Sequence, residues 1–353
     1  MVCLSPDIKD DASMENPRWK KRPEGSNWGD FGPDDQRGRM NLLTPELRLR
    51  AIREVAHGEV FCLSLPLDYP GGNTLFQHRK APKFVYEKRG DSFNFNYGLS
   101  AVDEHFCDVI SDDAVLMFLQ YSTQWDSLGH VGQMFDADGD GRPEKVYYNG
   151  YRAGIEIVGP DESDRGWGAR SIGIENLATA GVQGRGVLVD LERLHGRKRV
   201  LVGYDGLMAA LDAQGAQVEQ GDFLCLYTGF ADLVLEMQKQ PDGAVLANAC
   251  AVLDGRDEKL LQWITDSGIV AICADNYAVE AYPAVPGKSD RYPGLPLHAH
   301  CLFKLGLHLG ELWYFGELAK WLRANQRSSF LLTAPPLRLP GAVGSPATPI
   351  ATV

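Results

Sequence analysis

Two stretches of this chain place polar side chains at spacings that make chemical sense if the side chains converge. The first is QYSTQWDSLGH, Gln120 to His130, where two glutamines four residues apart are followed by Asp126 and then by His130. On an extended backbone, alternate positions share a face. Gln120, Gln124 and Asp126 then point the same way, with His130 returning from the loop beyond. A polar strand end with hydrogen-bonded amides would carry the same residues. The second stretch, LHAHCLFKLGLHLGELW (297–313), holds His298, His300 and His308 close together, with Glu311 next in line. A single histidine is ordinarily structural. Several imidazoles beside a carboxylate are a ligand set for a divalent metal ion.

The elements that must position these groups follow from periodicity. Apolar runs rich in β-branched and aromatic residues at 59–67, 114–121, 185–191, 222–229 and 268–276 predict buried strands. Apolar positions three and four apart at 204–215, 230–240, 257–268 and 310–326 predict amphipathic helices. Their alternation predicts an α/β domain built on a mixed or parallel sheet. On this reading the 114–121 strand feeds directly into QYSTQWDSLGH, whose polar residues lie where functional side chains are commonly presented, and Glu311 opens a long helix. No internal repeat at a fixed period is present. The ends, rich in Pro, Gly and Asp, predict extended arms at 1–45 and 334–353 around a body at 46–333. Lacking the apolar periodicity to fold alone, these arms are expected to pack on a neighbouring subunit in a homodimer or homotetramer, or else on their own body.

With 44% hydrophobic and 23% charged residues over 353 positions, the chain has material for a large core and no composition break that would mark two domains. A net charge of −12 argues against nucleic acid and against an anionic membrane surface as partners, since both require clustered Lys and Arg. No stretch approaches the roughly 20 apolar residues of a membrane span, and the first residues lack a signal-peptide core, so a cytoplasmic location is expected. The seven cysteines form no CxxC pair and mostly sit in apolar runs, which reads as reduced core thiols. DADGDGRPEKVY (136–147) opens like a calcium loop at Asp136, Asp138, Asp140 and Gly141, but its twelfth position is Tyr147 where such a loop needs a bidentate Glu. An exposed Asp/Gly turn is the plainer reading.

QxSTQWDSLGH resembles the HxGTHxDxPxH signature of the metal-dependent cyclase family, which includes bacterial kynurenine formamidases and isatin hydrolases. WGDFGPDDQRGRMNLLTPE (28–46), YYNGY (147–151), DNYAVEAYP (275–283), LHAHCLFKLGLHLGELW and the closing SFLLTAPPLRLPGAVGSPATPIA (329–351) are similar to further blocks of its longer members. The resemblance implies a single cyclase-type domain with a barrel-like mixed sheet flanked by helices. It also implies Asp126, His298 and Glu311 as metal ligands and His130 as the acid and base. The two signature histidines are Gln120 and Gln124 here. An amide oxygen is a neutral, hard and weaker donor than imidazole, so this departure costs zinc affinity and makes manganese a rival to zinc.

One divalent ion, zinc or manganese, is therefore expected on Asp126, His298 and Glu311, with a second left open. Gln120 and Gln124 would complete its shell or bind substrate, with His300 as a fallback ligand or substrate contact. Such an ion lowers the pKa of water and polarises a carbonyl, and a histidine can move the proton. Hydrolysis of an amide or lactone bond in a small, cyclic or aromatic molecule is the implied reaction. Trp125 and Glu280 are further candidates for contact with that substrate, and Phe76, Tyr147 and Tyr148 are alternatives from an aromatic lining or from the core. A catalytically silent binding protein on the same scaffold, suggested by the two lost histidines, and a metal-dependent lyase or dehydratase are the competing readings.

Overall fold

In the computed structural model, which describes residues 18–353, nine strands form one mixed sheet curled into a half-barrel. In chain order they are β1 (Val60–Cys62), β2 (Gln124–Asp126), β3 (Gln183–Asp190), β4 (Phe223–Tyr227), β5 (Ala271–Ala274), β6 (His308–Glu311), β7 (Ser329–Thr333), β8 (Gly344–Pro346) and β9 (Ile350–Thr352). Across the sheet the order is β1-β9-β7-β3-β4-β5-β6-β2-β8. The four central strands β3 to β6 run parallel, and β2 pairs antiparallel with both β6 and β8. This is the mixed-sheet α/β fold that the alternation of apolar runs predicts.

The parallel centre is buried on both faces. Every residue of β4 and β5 is buried, the pattern expected where helices cover both sides. Leu224, Leu226 and Ile272 pack with Leu207, Leu260 and Ile264 on one side, which brings in α2 (Tyr204–Gln214) and α4 (Glu258–Ser267). Phe223, Cys225 and Cys273 pack with Leu318 and Leu322 on the other, which brings in α5 (Gly316–Ala324). Further helices of the frame include α1 (Pro45–Ile52) and α3 (Phe230–Glu236). Local signals set the helix ends. The Asp257 carboxylate accepts the N–H groups of Lys259 and Leu260 at the start of α4, and Gly268, at φ +69°, ends it.

Several predicted elements are shorter or placed differently. Only Ala114–Leu116 of the 114–121 run is a strand, and it pairs with Lys83–Val85 in an exposed ribbon outside the central sheet. QYSTQWDSLGH does not follow a buried strand; its own Gln124–Asp126 is the buried strand. An apolar run of this length has no periodicity that separates the two outcomes. Likewise Glu311 ends β6 and does not open a helix, because the helical part of 310–326 starts at Gly316.

The last twenty residues are no arm. They supply β8 and β9 to the central sheet, with Ala351 and Val353 fully buried. Of the N-terminal segment, residues 1–17 lie outside the described residues. The remainder lies against its own body: the Trp28 indole is fully buried, edge-on to Phe303, and donates to the Phe303 carbonyl at 2.7 Å. Among the described residues no helix is long and apolar enough to cross a membrane.

Candidate active site

The pairing of β2 with β6 assembles the site. Gln124 lies opposite Glu311, and Asp126 opposite Leu309. Residues directly opposite in an antiparallel pair share a face, so Gln124, Asp126 and Glu311 project together. His298 reaches them from a short helical turn, Pro296–His298, that leads into a wider π turn over Ala299–Lys304. Its Nε2 lies 3.2 Å from Glu311 Oε1 and 3.9 Å from Asp126 Oδ2. One ligand-type atom from each of Asp126, His298 and Glu311 falls within 4.8 Å of the other two, and all three residues are buried.

His298 is held by Glu280, which accepts the His298 Nδ1–H at 2.8 Å and the main-chain N–H groups of Leu297 and His298 at 2.9 and 3.0 Å. This fixes the tautomer and leaves Nε2 facing the carboxylates. Glu280 is thus occupied in orienting the imidazole, a different position from the substrate contact expected of it.

Electrostatics mark the cluster as short of positive charge. Burial, then the Asp126 carboxylate, pushes the Glu311 carboxyl up to about 7. Burial disfavours charge on His298, yet its bonds to Glu280 and Glu311 outweigh this and raise it to about 10. Asp126 Oδ2 is buried with no hydrogen-bond partner among the described residues. An orphaned carboxylate oxygen beside the Glu311 carboxylate and the His298 ring fits a divalent cation, and two carboxylates with one imidazole are a sufficient donor set.

The two glutamines take different places. The Gln124 amide nitrogen donates to Asp126 Oδ1 and Glu311 Oε2, each at 3.2 Å, so it links the two carboxylates, while its own oxygen is buried without a hydrogen-bond partner among the described residues. Gln120 precedes β2, and its amide lies over Gly344, the residue opposite Asp126 on β8. A Cβ there would come within 2.4 Å of the Gln120 nitrogen, so the absence of a side chain at Gly344 admits this amide to the Asp126 face.

His130 closes the loop after β2, its N–H bonded to the Ser127 carbonyl, and its Nε2 lies 3.8 Å from Asp126 Oδ1. Burial lowers its pKa below the usual 6.5, against the pull of Asp126. His130, His298 and Glu311 open onto a cavity of about 420 Å³ whose other walls include Phe76, Arg79, Tyr277 and Tyr282. Arg79 carries no local sequence signal; it enters the site only through the fold.

Other candidates lie elsewhere. Trp125 points to the opposite face of β2, stacks edge-on against Trp313 and donates its indole N–H to Ala334, so it belongs to the core and not to a substrate wall. The His300 ring is bonded to the Thr265 hydroxyl at 2.9 Å, and burial pushes it down to about 4; it neither joins the ligand cluster nor lines the cavity. His308 bonds to the Asp126 carbonyl, buttressing β2. Tyr148 is core, and Tyr147 faces a separate groove. Asp275 accepts four hydrogen bonds from Thr228, Gly229 and Phe230 at the start of α3. Asp136, Asp138 and Asp140 do cluster, partly exposed, at a turn.

Comparison with known proteins bears on the family and the fold. The cyclase family model matches residues 43–281, which include the β2 signature and Glu280, while His298 and Glu311 lie beyond the match. A solved structure described as a novel cyclase is 32% identical, covering 93% of this chain and 97% of that chain with a TM-score of 0.72. Isatin hydrolase A from Labrenzia aggregata shares the fold at 11% identity, over 84% of this chain and 93% of its own, with a TM-score of 0.52. Another isatin hydrolase matches at 13% identity, over 88% and 99%, also at 0.52. No curated protein sequence matches the chain.

Proposed function

We propose, from the premise that this chain belongs to the cyclase family, that it is a metal-dependent hydrolase of an amide or lactone bond in a small cyclic or aromatic molecule. The observation that carries this reading is the convergence of Asp126, His298 and Glu311, the last two lining a cavity that His130 also enters. Those three residues would hold one divalent ion, zinc or manganese. When bound, such an ion supplies Lewis acidity toward a carbonyl oxygen and lowers the pKa of water.

The protein's own groups divide the remaining work. Glu280 keeps the His298 tautomer fixed, and Gln124 holds Asp126 and Glu311 in register. His130, kept neutral at physiological pH by its lowered pKa, accepts the proton of the attacking water and returns it to the leaving nitrogen or oxygen. The aromatic residues Phe76, Tyr277 and Tyr282 in the cavity wall suit a flat substrate.

The test is elemental analysis of the dialysed protein beside Asp126→Ala and Glu311→Ala, with a panel of formanilides, cyclic amides and lactones as substrates. About one divalent ion per chain, lost in both variants, with turnover of a panel member, is the expected result. Full metal content in both variants would overturn the ligand assignment. Bound metal with no turnover anywhere in the panel would favour the silent binding protein.

A further inference from the structure

Arg79 lines the cavity beside His130, His298 and Glu311. Its guanidinium lies over the Phe76 ring, 3.9 Å from the centroid, and its Nη1–H donates to the Gln120 carbonyl at 2.6 Å. Among the described residues these are its only ring contact and hydrogen bond, and it forms no ion pair with a carboxylate. One end of the guanidinium is therefore anchored and one face is stacked, while Nε and Nη2 have no hydrogen-bond partner among the described residues. An arginine held in this way is a preorganised fork whose geometry matches a carboxylate.

The charge count makes this arginine informative. Asp126, Glu280 and Glu311 contribute three negative charges around the His298 ring. A divalent ion leaves one of these uncompensated, and Arg79 brings the sum to zero. The guanidinium is close enough to favour the ionised form of Glu311 and to disfavour charge on His130. Hydrolysis of a cyclic amide or a lactone adds the elements of water across the C–N or C–O bond, hydroxyl to carbon and hydrogen to the leaving atom. The resulting acid then ionises. A net negative pocket would repel that carboxylate, as it would any acid group already on the substrate.

The walls around Arg79 are aromatic. Phe76 meets Tyr277 edge-on at 5.8 Å and Tyr282 at 6.2 Å. A volume of about 420 Å³ holds one small ring system.

We infer that Arg79 is the specificity-determining residue of this site, selecting a flat aromatic ligand that carries a carboxylate through a two-pronged bond from Nε and Nη2 while Phe76 and Tyr277 hold the ring. The inference rests on the hydrolase reading for the identity of the cavity as the substrate site, and its test does not require turnover. The carboxylate can come from a substituent of the substrate or from the acid that hydrolysis releases.

The experiment is calorimetric titration of the full chain with benzoate and with its neutral isostere benzamide, in wild type, Arg79→Gln and Arg79→Lys. It is run with zinc or manganese added and again after chelation, with metal content and thermal midpoint measured on each sample. The expected result is that wild type prefers benzoate, that Arg79→Gln loses about 10- to 100-fold in benzoate affinity with benzamide binding unchanged, and that Arg79→Lys falls between. The ratio of wild-type to Arg79→Gln benzoate affinity should persist after chelation, even though loss of the ion's charge weakens benzoate binding in both, which separates Arg79 from capture of benzoate by the metal alone. Equal loss for both ligands, unchanged benzoate affinity in Arg79→Gln, metal-loaded wild type that does not discriminate the pair, or a ratio of wild-type to Arg79→Gln benzoate affinity that falls to one on chelation would each overturn it. Absence of metal in the purified protein would count against the hydrolase reading and leave the Arg79 comparison standing. If a substrate is found, a raised KM confined to acidic substrates assigns the carboxylate to the substrate. Weakened product inhibition with unchanged KM assigns it to the product.

Discussion

His130 and His298 show how one residue type takes opposite characters a few ångströms apart. Burial keeps His130 neutral, whereas two carboxylate partners hold His298 charged. His130 stands 3.8 Å from Asp126 and outside the ligand cluster. His130→Asn should then keep its metal while turnover falls by about 10²–10⁴; loss of metal in that variant would make His130 a ligand. Metal binding must displace protons from His298, near 10, and Glu311, near 7. Both protonated forms compete with the ion, so affinity should climb as pH rises from about 7 towards 10. Calorimetry at pH 7 in buffers of different ionisation enthalpy should register proton release, and pH-independent affinity would contradict this arrangement. Glu280→Gln removes the anchor of the His298 ring and should weaken metal binding by about 10- to 100-fold, measured by competition with a chelator; unchanged affinity would leave Glu280 a purely local role.

At the scale of elements, the site depends on how β2 is wedged between β6 and β8. One face of β2 carries Gln124 and Asp126, and the other carries Trp125 against Trp313, ring centroids 5.0 Å apart. Gly310, opposite Trp125, makes that contact possible, since a Cβ there would lie 2.7 Å from the Trp313 indole nitrogen. Gly310→Ala should destabilise the fold by about 1–3 kcal/mol through overpacking. Denaturant unfolding would detect this as a lower midpoint at unchanged slope, and a wild-type midpoint would show that the indole moves aside freely.

At the scale of the molecule, residues 83–118 form a run of short exposed ribbons. Phe84, Tyr86, Phe93, Phe95, Phe106 and Phe118 are 43–60% exposed there, and four of them line one groove of about 550 Å³. At roughly 150–250 Å² per aromatic side chain, their exposed parts sum to on the order of 600 Å². Val102, Val109, Val115 and Leu116 add to this and bring the total near the ~800 Å² per partner of a stable interface. If the homodimer or homotetramer expected from the sequence forms, this segment, and not the terminal arms, is the surface that a second copy would cover. Light scattering at micromolar concentration should give at least a dimer for wild type and a monomer for the double variant Phe84→Asp, Phe93→Asp. A monomeric wild type would dispose of the idea.

The α/β class, the three inner strands β3 to β5 and the amphipathic helices α2 and α4 were legible in the chain, because apolar periodicity is a local property that burial on one or both faces imposes directly. Both site stretches were legible too, since the residue types and the family-like spacing of QYSTQWDSLGH and LHAHCLFKLGLHLGELW are written in sequence. Tertiary structure alone decided which of their side chains meet. The pairing of Gln124 with Glu311 joins residues far apart in the chain, Glu280 reaches His298 across a loop, and Arg79 comes to the cavity from a segment with no signal of its own. The same holds for Trp125 and His300, whose types suit a site but whose directions are set by neighbours on the sheet and by Thr265. Strand pairing and side-chain direction depend on partners distant in sequence, and no local pattern encodes them.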